Sequence, residues 1–153
     1  MKIVDVNIIL YAVNNDSPFH LKAKTWWDSV LSGTEIVGIP WIVILGFIRI
    51  STNHRVFDNP ILPEKALDIV DGWLGRPQTQ ILHPSTEHWR YLKEHLLELG
   101  AAGNITSDAH LATLAIENGA TLYSTDNDFT RFKNLKWINP LSQSGDTSTR
   151  NSL

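Results

Sequence analysis

Short apolar runs alternate with segments of helical periodicity along most of this chain. Runs rich in valine and isoleucine that end at turn-forming residues are typical of buried strands. Five such strands are predicted, over residues 2–7, 35–39, 80–83, 121–125 and 136–138. Apolar residues spaced three and four apart predict helices over residues 8–13, 20–31, 63–74 and 89–99, and another from a cap at Asn104 or Thr106 to Asn118. This alternation is typical of α/β proteins with a parallel sheet covered on both faces.

The stretch that starts at Trp41 has an ambiguous pattern, because its ten mostly β-branched residues suit a strand as well as a buried helix. Pro40 suits the first turn of a helix. A parallel sheet also needs a crossover connection at this point of the chain. We therefore predict a helix that begins near Trp41.

Length and composition indicate a single domain. The chain has 153 residues, of which 42% are hydrophobic and 19% are charged. A domain of this size buries about 68–70% of the surface that its unfolded chain exposes, which is enough for a core without covalent staples. We assign residues 1–141 to the domain. Residues 142–153 are polar except for the last one, so we expect them to form a disordered tail.

Composition also excludes several functional classes. The chain has no cysteine, which excludes disulfides, thiolate metal sites and cysteine nucleophiles and fits a reducing, cytoplasmic location. No apolar run approaches the length of a membrane span, and Asp5 interrupts the early apolar run, so we expect no signal peptide. With 13 basic and 16 acidic residues the formal net charge is −3. Nucleic acid would therefore have to bind at a local site.

Two aspartates occupy positions where a carboxylate is costly. Asp5 interrupts the apolar stretch over residues 3–10, where a buried and unpaired charge would cost several kcal/mol. Asp108 shares one helical stripe with Leu111, Ala112 and Ala115, so its carboxylate is expected to face inward. The structural alternatives are that Asp5 caps a turn at the end of a strand and that Asp108 complements the helix dipole.

A third acidic position follows the predicted fourth strand. Asp126 stands just beyond this strand, and Asp128 lies two residues further on. In open α/β sheets, sites form beyond the carboxyl ends of the strands. An Asp-x-Asp pair is common in turns, so its position carries more information than the motif itself.

Three carboxylates that meet at one edge of a sheet need a cation. At 4 to 5 Å each pair would repel by roughly 3 to 4 kcal/mol at an effective dielectric constant near 20. Oxygen ligands without cysteine favour a hard ion such as Mg²⁺ or Mn²⁺. Ions of this kind activate water and bind phosphate, so hydrolysis of a phosphodiester bond is the chemistry that the pattern favours.

The chain resembles the PIN-domain family, and within it the VapC-type ribonuclease toxins of bacterial toxin–antitoxin pairs, from residue 1 to about residue 141. Four segments carry this resemblance together, although each is weak alone. They are Ile-Val-Asp-Val-Asn over residues 3–7, Phe-Ile-Arg-Ile-Ser-Thr over 47–52, Ser-Asp-Ala-His-Leu-Ala over 107–112 and Ser-Thr-Asp-Asn-Asp-Phe over 124–129.

The resemblance implies a three-layer α/β/α fold with a central parallel sheet of about five strands. It implies that Asp5, Asp108 and Asp126 bind Mg²⁺ or Mn²⁺ and that Asp128 is a further ligand or accepts a hydrogen bond behind the ligands. The implied activity is metal-dependent endonucleolytic hydrolysis of RNA. The implied partners are a cognate VapB-like antitoxin and a second copy of the chain in a homodimer.

The sequence departs from the family pattern at Gly46. PIN nucleases usually carry a glutamate three residues before the arginine that corresponds to Arg49, and no other acid occurs between Ile36 and Val56. Three outcomes are open: Asp128 completes the ligand set, water takes the missing position, or a second metal binds weakly. The departure also leaves open a catalytically weak or silent PIN module that binds RNA or a protein partner.

Four other residues are candidate supporting groups. Asn7 is expected to hold Asp5, and Ser124 or Thr125 to orient a ligand or the attacking water, unless these side chains bond only local backbone. Arg49 is expected to contact a phosphate or a site acid, unless it forms an ordinary ion pair.

The remaining basic and aromatic residues give weaker signals. Arg131, Lys133 and Lys136 cluster after the acidic loop and would form either a modest RNA groove or a solvated surface. None of the six histidines has metal-ligand spacing, and we predict that none is a ligand. A metal-dependent phosphatase acting on small molecules remains a weaker alternative.

Overall fold

Five parallel strands form one sheet at the centre of the molecule. The computed structural model describes residues 1–142. The elements in these residues are β1 Lys2–Val4, α1 Val6–Val13, α2 His20–Ser32, β2 Val37–Pro40, α3 Trp41–Ser51, α4 Pro63–Leu74, β3 Thr79–Leu82, α5 His88–Leu99, α6 Ile105–Glu117, β4 Thr121–Tyr123, a 3-10 helix Asn127–Arg131 and β5 Lys136–Ile138. The strand order is β3-β2-β1-β4-β5, and every neighbouring pair is parallel.

The helices form a layer on each face of the sheet. The crossovers from β1 to β2 and from β2 to β3 run in one direction across the sheet, and the crossover from β3 to β4 runs in the other. Because crossovers between parallel strands are right-handed, opposite directions place their helices on opposite faces. Accordingly, α1 contacts α2 and α3, α3 contacts α4, and α5 contacts α6. This confirms the predicted α/β/α arrangement.

The core fills the space between the sheet and both helical layers. Ile3, Val37 and Leu122 on the three central strands are fully buried. Their continuous burial is typical of a parallel sheet that is covered on both faces. On the first face, Trp73 packs its ring edge against Trp27 and Phe47, with ring centroids 5.8 Å and 4.7 Å apart. Aromatic pairs prefer such edge-to-face contacts to direct face-to-face stacking.

The first strand is shorter than predicted, and this changes the position of Asp5. The predicted strand over residues 2–7 ends at Val4, and α1 begins at Val6. Asp5 is the N-cap of α1, with φ −71° and ψ 150°, and its side chain accepts a hydrogen bond from the backbone N–H of Val6. The apolar residues after it lie on the buried face of a helix, which periodicity over so short a run does not distinguish from a strand.

Other boundaries shift by a few residues. The stretch at Trp41 is helical, as predicted. The predicted strand over residues 121–125 ends at Tyr123, which places Ser124 and Thr125 in the loop beyond it. Asn104 precedes α6, but its side chain makes no capping hydrogen bond.

Two further predictions concern the C-terminal tail and membrane spans. Of the predicted tail, residues 143–153 lie outside the described residues. Within residues 1–142 no helix combines the length and the apolar character needed to cross a membrane.

Candidate active site

The candidate site lies where the sheet reverses its strand order, between β1 and β4. Adjacent strands whose crossovers leave in opposite directions form a crevice beyond their carboxyl ends. In this pair Val4 lies beside Tyr123, and the backbone N–H of Asp5 donates to the carbonyl of Tyr123 at 2.9 Å. The next residues along each strand, Asp5 and Ser124, therefore enter the crevice side by side.

Both carboxylate oxygens of Asp5 have donors. Oδ1 accepts from the Val6 N–H at 2.7 Å, and Oδ2 accepts from the Ser124 hydroxyl at 2.7 Å. Burial raises the pKa of Asp5, the two hydrogen bonds lower it in part, and the negative charge of Asp126 raises it again. The carboxylate is thus held in one orientation at an electrostatic cost, which a cation in the crevice would reduce.

Ser124 organises the acids around it. Its side chain is fully buried. Its hydroxyl donates to Asp5, accepts from the side-chain amide of Asn7 at 3.2 Å, and accepts from the backbone N–H of Asp126 at 3.0 Å. One hydroxyl therefore connects α1, the end of β4 and the loop that follows it. The amide oxygen of Asn7 is buried without a hydrogen-bond partner among residues 1–142.

The loop after β4 folds Asp126 and Asp128 toward each other. Asp126 caps the 3-10 helix and accepts from the backbone N–H of Asp128 at 2.8 Å through its Oδ1. This is the local hydrogen bond that aspartate favours two residues ahead in a turn. Each of Asp108, Asp126 and Asp128 offers one carboxylate oxygen, and these atoms all lie within 4.8 Å of one another.

Asp108 enters from the first turn of α6. The buried residues Ala109 and Ala112 pack α6 against the sheet and bring its first turn to the crevice. Burial is the largest cause that raises the pKa of Asp108, and the charges of Asp126, Asp5 and Asp128, in that order, bring it to about 6. Asp108 therefore combines partial burial with repulsion from all three neighbouring acids.

These donors fit a hard divalent cation. The cluster offers carboxylate oxygens without sulfur, and its separation of up to 4.8 Å leaves room for an ion between the ligands. The raised pKa of Asp108 is the expected property of an acid cluster that lacks its counter-charge. Asp5 lies outside this group of three, although its charge acts on Asp108.

Two cavities meet at Asp108. The larger one, of about 530 Å³, is a groove lined by Ala101, Ala102, Asn104, Ile105, Asp108, Asp126, Asp128 and Arg131. The smaller one, of about 160 Å³, lies toward α3 and is lined by Asp5, Val6, Ile42, Val43, Gly46, Arg49, Ile50, Ser107, Asp108 and Leu111. Asp108, Asp126 and Asp128 thus line the larger groove, and Asp5 lines the smaller cavity together with Asp108.

Comparison with known proteins identifies the fold family. A family model described as "PIN domain" matches residues 2–135. The chain belongs to the PIN-domain family. It is 40% identical over 140 residues to the protein named ribonuclease VapC37 of Mycobacterium tuberculosis, and the match covers 92% of this chain and 97% of that protein. Ribonuclease VapC33 of the same species is 37% identical over 141 residues, with 92% and 99% covered.

Solved structures agree with this fold. VapBC2 from Rickettsia felis, bound to a DNA fragment from its promoter, matches with a TM-score of 0.66 and 23% identity, covering 90% of this chain and 97% of that one. VapC20 of M. tuberculosis, described as a sarcin-ricin loop cleaving toxin, matches with a TM-score of 0.62 and 17% identity, covering 85% and 93%. The PIN-type three-layer architecture predicted from sequence is confirmed.

The PIN domain leaves space where the usual glutamate is missing. Gly46 is buried in α3 and lines the 160 Å³ cavity together with Asp5 and Asp108. A Cβ atom at Gly46 would lie 3.5 Å from the nearest Val6 carbon, which is ordinary contact. Asp128 lies in the group of three acids but lines the larger cavity, whereas Gly46 lines the smaller one, so the three outcomes left open by Gly46 stay open.

Two predicted supporting residues have weaker connections to the PIN site. Arg49 is exposed and lines the smaller cavity, but it forms no ion pair with an acid in the described part of the chain. Thr125 is half-buried beside Asp126, and no hydrogen bond of its hydroxyl is found within residues 1–142. Ser124, in contrast, donates directly to Asp5, whereas Asn7, predicted to hold Asp5, donates to the Ser124 hydroxyl and reaches Asp5 only through it.

A buried polar chain joins α5 to α6 in this PIN domain, and no sequence pattern predicts it. The Nδ1 of His88 donates to Glu117 at 3.1 Å, and the Nε2 of His88 lies 2.8 Å from the Nδ1 of His110. Glu117 also accepts from the backbone N–H and the hydroxyl of Ser85. These partners are separated by 22 to 32 positions along the chain, so their only sequence signal is the presence of polar residues in helices with apolar stripes.

Proposed function

We propose that this chain is a metal-dependent endoribonuclease toxin of the VapC type. The observation that carries the proposal is the group formed by Asp108, Asp126 and Asp128, whose carboxylate oxygens lie within 4.8 Å of one another and which line a 530 Å³ groove. Curated relatives that match nearly the whole chain at 37–40% identity are named ribonucleases. The groove and the acid cluster suit an extended phosphodiester substrate.

The side chains divide into ligands and positioning groups. Asp108, Asp126 and Asp128 would hold Mg²⁺ or Mn²⁺, and Asp5 would face the ion from the neighbouring cavity. Such an ion supplies positive charge for the phosphate and lowers the pKa of a bound water. Ser124 keeps Asp5 and the Asp126 backbone in register, and Asn7 holds Ser124 in turn. This support preorganises the acids, which limits the reorganisation needed when RNA binds.

We further propose that the protein acts in the cytoplasm, forms a homodimer and is neutralised by a VapB-like antitoxin. Structural neighbours at 23% and 19% identity are VapBC assemblies from Rickettsia felis and nontypeable Haemophilus influenzae. They cover 90% and 91% of this chain. A chain of net charge −3 would be matched by a partner with a basic segment. We also treat residues 1–141 as the functional unit.

Metal-dependent cleavage tests the proposal directly. The purified chain is incubated with total RNA in the presence of Mg²⁺, of Mn²⁺ or of EDTA, and the products are resolved by electrophoresis. We expect discrete fragments only with metal, and we expect Asp126→Asn to slow cleavage by at least about 100-fold because it removes the charge of a ligand, while the asparagine oxygen can still cap the 3-10 helix. Asp68→Asn, an exposed acid on α4, is the matched control and should cleave as the native chain does.

Two results would contradict this proposal. Cleavage that persists in EDTA or in Asp126→Asn would exclude the acid cluster as the site. A folded native chain that binds RNA without cutting it would instead support the silent PIN module that Gly46 left open.

A further inference from the structure

Arg131 is a cation placed beside the acid cluster. We infer that Arg131 binds a backbone phosphate of the RNA and positions the strand over the acids, an inference that rests on the proposed function. It assigns a substrate-binding role to a residue that the sequence leaves undecided between a groove and a solvated surface.

The 3-10 helix fixes the position of Arg131. This helix spans Asn127–Arg131 and has three residues per turn, so Asp128 and Arg131 lie on the same face. Both residues line the 530 Å³ groove, together with Asp108 and Asp126. Asp126, as the N-cap of this helix, therefore fixes the backbone that carries both Asp128 and Arg131 beside the groove.

The guanidinium of Arg131 is available for a ligand. The residue is exposed, and it forms no ion pair within 4.0 Å in the described part of the chain, although three acids share its groove and Glu98 shares a small cavity behind it. Lys2, in contrast, is engaged by Glu35 and Arg90 by Glu87 and Glu94, whereas Arg49 and Arg76 are unpaired within residues 1–142 like Arg131 but do not line the groove of the acid cluster. An arginine that remains unpaired next to acids can offer its donors to a phosphate.

The negative charge of the groove favours a cation that binds the phosphate. Three carboxylates repel an approaching phosphate, and one divalent ion offsets only two of these charges. A planar guanidinium binds two phosphate oxygens at once and adds the missing positive charge. The small residues Ala101 and Ala102 also line this groove, and their short side chains take up little of its space.

The chain offers a matched control in Arg76. Arg76 is also an exposed arginine without an ion pair in the described residues, but it precedes β3 and so lies at the amino end of the sheet, opposite the crevice. Arg76→Gln removes the same charge from the molecule as Arg131→Gln. A difference between the two variants therefore reports position rather than net charge.

Binding is measured in an Asp126→Asn background, in which we expect cleavage to be slow, with a 5′-fluorescein 20-nucleotide single-stranded RNA and Mg²⁺. Fluorescence anisotropy is recorded across a series of salt concentrations. We expect Arg131→Gln to weaken binding about 3- to 10-fold and to reduce the slope of log K against log salt by about 0.7, the value for one phosphate contact on a single strand. Arg76→Gln should leave this slope unchanged.

Kinetics in the otherwise native chain supply the second readout. Arg131→Gln should raise KM several-fold more than it lowers kcat, and Arg131→Lys should recover part of the affinity because it keeps the charge but not the paired donors.

Equal salt slopes for Arg131→Gln and Arg76→Gln in the binding experiment would overturn the inference. If the native chain binds RNA with the predicted slope difference but does not cut it, the nuclease proposal fails while the role of Arg131 stands.

Discussion

Ionisation of Asp108 opposes folding in the metal-free protein. Burial and three neighbouring acids raise its folded-state pKa from an ordinary 3.8 to about 6. Between these two pH values the folded chain binds more protons than the unfolded chain. The contribution of Asp108 to the free energy of unfolding is therefore full below about pH 4 and is lost as pH rises through about 6.

Removing this charge should stabilise the protein at neutral pH. We expect Asp108→Asn, measured by urea unfolding in EDTA, to gain stability relative to the native chain as pH increases from 4 to 7. The gain should level off above the folded-state pKa. Because Asp108 is only half-buried, solvent screens part of the effect.

Asp68→Asn on the exposed face of α4 serves as the reference variant for this measurement. A difference between Asp108→Asn and the native chain that does not change with pH would show that neither burial nor the neighbouring acids raise the pKa of Asp108.

At the scale of the elements, the junction between α5 and α6 determines where Asp108 stands. Glu117, with a side chain only 6% exposed, accepts hydrogen bonds from His88 and from Ser85. A second contact lies one turn away, where the Nδ1 of His95 donates to the Thr113 hydroxyl at 2.8 Å and this hydroxyl donates to the Ala109 carbonyl. Polar contacts therefore fix the register of α6 against α5 along most of its length.

Removal of Glu117 should destabilise the fold strongly. Glu117→Ala leaves the donors of His88 and Ser85 buried without an acceptor, and we expect it to lower the free energy of unfolding by about 2 to 4 kcal/mol. Glu94→Ala removes an exposed acid that pairs with Arg90 on α5, and it should cost less than about 1 kcal/mol. Urea denaturation followed by circular dichroism measures both. Equal losses would mean that the buried chain contributes no more than a surface ion pair.

The elements themselves follow closely from sequence pattern. Periodicity and turn residues predict five strands and the helices between them, including the ambiguous α3, because a parallel sheet needs a crossover there. The end of β1 is not predicted, because Ile8 and Ile9 are buried whether they follow Asp5 in a strand or in a helix. From sequence, the capping role and the site role of Asp5 are alternatives, and in the structure Asp5 has both, because it caps α1 and also enters the crevice.

The site is predicted in outline for a topological reason. Residues that follow neighbouring parallel strands must meet at one edge, which is why Asp5 and Asp126 come together across about 120 residues of chain. The distances within the cluster depend on side-chain orientation, which no pattern encodes. The sequence therefore does not predict that Asp128 belongs to the group of three carboxylates and that Asp5 lies outside this group.

At the scale of the whole molecule, the charge of the crevice couples folding to cation binding. Four aspartates approach one another at the point where the sheet reverses its strand order, and α3 contributes no acid to them because position 46 is glycine. A ligand that binds only the folded chain stabilises it in proportion to the logarithm of its concentration over its Kd. The melting temperature in a Mg²⁺ titration therefore reports how well the incomplete acid set binds metal.

Gly46→Glu tests this coupling by restoring a carboxylate. Its Cβ meets only Val6, at 3.5 Å, and its side chain would extend into the 160 Å³ cavity beside Asp5 and Asp108. In EDTA the added charge should increase repulsion and lower the melting temperature. With Mg²⁺ the same charge should strengthen binding, so the rise in melting temperature on metal addition should exceed that of the native chain.

Gly46→Gln separates charge from the other effects of the substitution. Either side chain replaces a helix-interior glycine, which by itself adds about 0.5 to 1 kcal/mol of stability, and either fills the cavity to the same extent. Only glutamate adds a charge. If the two variants melt at the same temperature in EDTA and respond equally to Mg²⁺, the cavity beside Gly46 lies outside the field of the acids and a carboxylate at position 46 does not contribute to metal binding. A larger metal response in glutamate than in glutamine would instead show that the native chain folds with a metal site one carboxylate short of what its cavity can hold.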